Sequence, residues 1–111
     1  MAIAKAETIP EYALTVAHAA LVKALKTAIF GIKKKTTGNF TIIHAAGQLI
    51  LRGPVGEAIL PAEGYWPIHV SISPLLAKNL VNALPDTDPV HLKFKEGRLY
   101  IEKFSVPAQQ S

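Results

Sequence analysis

The chain has 111 residues, half of them hydrophobic, no cysteine and a formal charge of +4. That length suits one domain with a core of its own, and the apolar content is too high for a disordered chain. Disulfides and thiolate metal sites are excluded, and no apolar run reaches the ~18 residues of a membrane span.

Residues 1–10 read as an N-terminal tail that lacks the apolar centre of a signal peptide. With no cysteine to suggest an oxidising compartment, the expected location is the cytoplasm. Residues 11–16 alternate Glu11, Ala13 and Thr15 with Tyr12, Leu14 and Val16, which predicts a strand. Residues 12–35 hold five lysines and no acid, whereas the rest of the chain holds seven basic and eight acidic side chains. The positive excess therefore originates in this one stretch. Leu21, Val22, Leu25, Ile29 and Ile32 recur at helical spacing, predicting a helix over 18–30 with Lys23, Lys26 and Thr27 on its opposite side. Gly31 is placed to end it in a left-handed cap and Ile32 to fold back onto the last turn, while Phe30 suits local packing at the helix end better than projection beside the lysines.

A basic loop follows, Lys33, Lys34 and Lys35 running into Thr36, Thr37, Gly38 and Asn39. Strands are expected over 40–44 and 48–52, joined by a tight turn at Ala45, Ala46 and Gly47, with a weaker one over 55–60 after Gly53 and Pro54. Pro61, Ala62, Glu63 and Gly64 read as a turn, and residues 66–73 as an alternating strand. Tyr65 and Trp66 beside it suit core or edge packing better than a binding surface. Ser73 and Pro74 form a helix start, and the helix over 74–84 places Leu76, Ala77, Leu80, Val81 and Leu84 on its apolar side, Lys78, Asn79 and Asn82 on its polar side. Asp86 and Asp88 lie in a Pro-bracketed loop, where aspartate caps and turns. The last expected element is a hairpin, 90–94 and 98–104. A two-residue turn there sets Phe94 opposite Leu99 and Leu92 opposite Ile101; a bulged turn would slip the pairing by one and send half the apolar set to solvent.

The chemistry-bearing residues form no catalytic pattern. His18, His44, His69 and His91 have no ligand spacing among them, so neither a metal nor a cofactor is expected. Ser71 and Ser73 have no nucleophile constellation, and Gly53 to Gly56 is too short and Pro-broken for a phosphate loop. The expectation is a non-catalytic protein of the α+β class, with two helices packed on one face of an antiparallel sheet.

The segments LTVAHAALVKALKTA, KKKTTGNF, AAGQLILRG, VSISPLLAKNLVNALPD and VHLKFKEGRLYIEKFSVPA, in that order over residues 11–107, resemble one domain of a bacterial DNA sliding clamp, the beta subunit of the replicative polymerase. The most specific pieces are the Lys35-Thr36-Thr37 loop, the helix from Pro74 to Pro85 with its acidic turn, and the Glu96-Gly97-Arg98-Leu99 hairpin. The resemblance implies a clamp-like fold over 11–107 and a C-terminal tail over 108–111. It also implies a processivity-factor-like function: domains stacked edge to edge in a ring, sheets outside, helices facing duplex DNA without reading its sequence. On that basis Lys23, Lys26, Lys33, Lys34 and Lys35, with Lys78, Asn79 and Asn82 of the second helix, are the expected DNA-facing residues. Self-association through sheet edges and replication or repair proteins are the expected partners, with about six copies needed to close a ring. The chain departs from a clamp subunit in carrying one such domain rather than three. The segments around Tyr100 and Phe104 are also nearly fused, where a clamp domain has a hairpin arm. The alternative reading keeps the domain architecture as a protein-interaction or scaffold module with no DNA binding.

Overall fold

A computed structural model describes residues 12–33, 35–84 and 86–110, and shows an α+β domain of two helices and two antiparallel sheets. In chain order the elements are β1 (Tyr12–Val16), α1 (His18–Ile29), β2 (Phe40–Ala45), β3 (Gln48–Arg52), β4 (Glu57–Pro61), β5 (Glu63–Tyr65), β6 (Val70–Ile72), α2 (Pro74–Ala83), β7 (Val90–Lys95), β8 (Arg98–Ile101), β9 (Phe104–Pro107) and β10 (Gln109–Gln110). The single sheet expected from sequence is two sheets of five strands, ordered β5-β1-β7-β8-β9 and β10-β6-β2-β3-β4. Alternation specifies which face of a strand is buried but not which strands share a sheet, so the division is invisible in the pattern.

The two sheets expose an internal duplication. Residues 12–65 and 70–110 each run strand, helix, then four strands. In both halves the first strand leaves to pair with the opposite half: β1 pairs β7, and β6 pairs β2. The closing short strand follows it, β5 onto β1 and β10 onto β6. The match extends to single residues. Ala46 and Gly47 turn between β2 and β3 with φ of 53° and 77°; Glu96 and Gly97 turn between β7 and β8 with 52° and 76°. Both are two-residue hairpin turns with the positive φ values that match strand twist. Ala62 N–H donates to Gly47 O at 3.1 Å, and Ala108 N–H to Gly97 O at 3.0 Å.

Phe40, Ile42, Leu49, Leu51 and Leu60 of the first half and Val90, Leu92, Leu99, Ile101 and Val106 of the second occupy equivalent buried positions in one continuous core. The expected pairing of Phe94 with Leu99 and of Leu92 with Ile101 is present. Trp66 lies between the halves, fully buried, with its indole N–H donating to Ile42 O at 3.4 Å. The residues read as a C-terminal tail include β10, whose glutamines carry no apolar alternation to reveal it. β5 is likewise a strand where Pro61 to Gly64 suggest a turn; a Cβ at Gly64 would overlap the Ala13 carbonyl oxygen and lie 2.9 Å from Leu14 Cα, so a side chain is excluded from this approach of β5 to β1.

Candidate nucleic-acid interface

The two helices lie against each other, and α1 also packs on β3 and β4. Leu21, Ala24, Leu25 and Ala28 of α1 are buried, with Ile32 just beyond the helix. The small Ala28 admits close backbone approach: a Cβ on Gly53 would sit 3.1 Å from Ala28 O, and one on Gly56 3.2 Å from Thr27 O. Val22, placed by spacing in the apolar stripe, instead lines a shallow outer strip of the helix with His18, Lys23, Lys26 and Phe30. Gly31, with φ of 92°, ends the helix as expected, and Ile32 N–H returns to Ile29 O at 3.0 Å. Phe30 does not pack locally: it is 83% exposed beside the lysines, because the buried stripe leaves the helix at Ala28 and resumes at Ile32.

The helix starts are secured differently. Ser73 Oγ caps α2 by accepting the Leu76 N–H at 3.1 Å, and Pro74 follows at the first helical position. Ala17 at the N-cap of α1 has no acceptor, and the cap comes from the other half: Asp88 Oδ1 accepts the His18 N–H at 3.1 Å. A carboxylate there also complements the positive end of the helix dipole. The helix carries no acid in its first turn and Lys26 in its last, the favourable end for a cation.

Lys23 and Lys26 on α1, and Lys33 and Lys35 after it, are exposed, and among the described residues none forms an ion pair. The loop is held by Lys33 N–H to Thr36 Oγ1 at 2.8 Å and Thr36 N–H to Lys33 O at 3.0 Å. Lys34 lies outside the described residues. Lys78, Asn79 and Asn82 are exposed on α2, which contributes one cation where α1 contributes two. Both helices thus leave polar faces in solvent, and only the first is strongly basic.

The histidines are dispersed. His44 Nε2 lies 3.0 Å from Ala62 O, His91 pairs with Glu102, and among the described residues no group of three His, Asp or Glu side chains comes together. His91 and Glu102 form a clasp where β7 meets the turn after β8. The His91 main-chain N–H donates to Glu102 Oε2 at 2.7 Å, its Nδ1 lies 2.9 Å from the same oxygen, and Glu102 N–H returns to His91 O at 3.0 Å. That main-chain N–H, more than the imidazole and Lys93, holds the Glu102 carboxyl below the ordinary glutamate range against the opposing pull of its partial burial. Ile101 and Phe104, nearly fused in sequence, face each other across this turn, with Glu102 at φ of 56°. No helix among the described residues is long and apolar enough to cross a membrane. In comparison with known proteins, the chain matches no protein-family profile and no curated sequence.

Proposed function

We propose that the protein is a non-catalytic, clamp-like DNA-associated protein that attracts duplex phosphates through α1 and the loop after it. One observation carries the reading: the exposed, unneutralised cluster of Lys23, Lys26, Lys33 and Lys35 on an outward helix face and its exit. Lysines on long flexible stems act as point charges for phosphate, and neither helix carries an arginine, whose planar fork gives the commonest base-edge contact. Binding is therefore sequence-independent and salt-sensitive, and Lys78, Asn79 and Asn82 of the neighbouring α2 supplement it. The two-sheet, two-helix arrangement is compatible with the resemblance to a sliding-clamp domain, and association through sheet edges gives the assembly needed to hold DNA. The same domain with an inert lysine face is the second reading, a protein-interaction module, favoured by the near-neutral polar face of α2.

Titration of a labelled duplex at low salt separates the two. The wild type is expected to bind with a log–log salt slope of about −3 per copy, for about three phosphates engaged. Replacing Lys23, Lys26 and Lys33 by Glu is expected to abolish binding with the circular dichroism spectrum unchanged. Equal affinity of wild type and triple variant, or binding by neither, returns the lysines to an ordinary solvated surface and leaves the interaction module.

A further inference from the structure

The two halves present equivalent sheet edges, β4 and β9, and differ in what guards them. The hydrogen bonds from Gly53 N–H to Gly56 O (2.7 Å) and from Ala62 N–H to Gly47 O (3.1 Å) fix the alternation of the β3–β4 ladder. Ala58 and Leu60 turn their main-chain groups toward β3; Glu57 and Ile59 turn theirs outward, with Pro61 offering only a carbonyl. In the second half, Ala108 N–H to Gly97 O sets the same alternation, so Ser105 of β9 occupies the position of Ile59. There the edge is covered: Arg98 Nε donates to Ser105 Oγ at 3.0 Å and Nη2 to the Ser105 carbonyl at 3.3 Å. Among the described residues nothing covers Ile59, and it is 54% exposed.

The outward faces differ in the same direction. Ile43 faces Ile50 across β2–β3, and Ile50 faces Ile59 across β3–β4, a row of three isoleucines ending at the open edge. The equivalent row of the other sheet is Lys93, Tyr100 and Ser105. An apolar row that runs to an unguarded edge is a surface to which another strand adds.

We infer that two copies of the chain join through β4, antiparallel, with Ile59 of each on the two-fold axis. The occupant is a second copy because the edge is self-complementary. Setting Ile59 against its own counterpart satisfies the outward N–H and C=O of both, and setting Glu57 against the partner copy's Pro61 uses the one carbonyl that proline retains. This gives roughly four main-chain hydrogen bonds and makes the two isoleucine rows one continuous row. The pairing rests on the edge-association part of the proposed function and narrows it: a head-to-tail chain of β4 on β9 would have to displace Arg98, whereas the two-fold pair displaces nothing. A short strand with a flanking row is a small interface, so the dimer is weak and concentration-dependent. Because α1 packs under β4, pairing also brings two basic helices to the same side of the extended sheet.

Sedimentation of the full chain over a range of concentrations tests this. The expected mass rises from 12.0 kDa toward twice that value. Ile59→Lys is expected to stay monomeric throughout, and Ser105→Lys to dimerise like wild type. In parallel, hydrogen exchange of the wild type is expected to slow at the Glu57 and Ile59 amides as concentration rises, with Ser105 unaffected; this reading needs no variant to fold. Dissociation by both substitutions, with protection at Ser105, would replace the two-fold pair by head-to-tail pairing and leave edge association standing. A monomer at every concentration would overturn both, and the duplex titration would still decide the lysine face separately.

Discussion

The first half of the molecule and the second build the same layout from different amino acids, keeping apolar character at the core positions and losing it outside them. Leu49 and Leu99 hold the same buried place, as do the pairs Leu51 with Ile101 and Phe40 with Val90. Outward, the halves part company. α1 carries Lys23 and Lys26 where α2 carries Asn79 and Asn82, the isoleucine row faces the lysine–tyrosine–serine row, and β4 is open where Arg98 closes β9. Packing density constrains the inner positions of both halves alike. Positions facing water are free of that demand, so asymmetry there is where interaction with other molecules is to be sought.

The comparison is sharpest in the core. Leu49→Ala and Leu99→Ala are each expected to cost about 2–5 kcal/mol by chemical denaturation, and to cost similar amounts, since both sites sit mid-sheet with no exposure. A large inequality would mean that the equivalence is one of backbone path only. The helix caps test the halves from another side. Ser73→Ala and Asp88→Ala should each cost about 1 kcal/mol, but the first acts within its own half and the second unties α1 from the loop before β7. Exchange at the His18 amide should therefore accelerate in Asp88→Ala and remain unchanged in Ser73→Ala.

The smallest effect concerns acid. The folded value of Glu102 is lowered, so its clasp with His91 contributes fully at pH above the ordinary glutamate range. That contribution is lost as pH falls through the ordinary range toward the lowered folded value. Glu102→Gln keeps an oxygen acceptor and removes the charge. Thermal melts from neutral to acid pH should show a shallower loss of stability for this variant than for wild type, and parallel curves would mean that the clasp does not titrate. The first half has no counterpart to this clasp, because Arg52 stands at the equivalent place and pairs with Glu57 at 2.7 Å.

Much of this fold is legible in the sequence, where strong local signals act alone. Gly31 and the Ser73-Pro74 pair mark helix ends because their backbone and side-chain chemistry admits few other roles, and the Phe94–Leu99 register follows from keeping one face apolar. Three-dimensional choices without a local signature are harder to read. Phe30 is apolar and its burial is the natural expectation; only the phase of the helix on the sheet puts it in solvent. Gln109 and Gln110 become a strand because β6 has an edge to offer, not because of what they are. The duplication had a signal, AAGQLIL against KEGRLYI with glycines at matching turns, but it becomes visible only when distant segments are laid side by side. For the basic face, the lysine cluster and the outward side of Lys23 and Lys26 are both legible from helical spacing, whereas the open β4 edge depends on how the strands are ordered.

The exchange of first strands between the halves also sets an order of events. Tyr12–Val16 is made well before its long partner Val90–Lys95, which lies nearly eighty residues downstream by the register of Leu14 with Leu92. Phe40–Ala45 meets β3 at once but awaits β6 for its other side. Neither half can close its sheet until the other has been made, and contacts of such sequence separation impose a loop-closure cost before they return any stability. During synthesis β1 can therefore take up only its short partner β5 until β7 has been made, and the long side of the strand stays open in the interval.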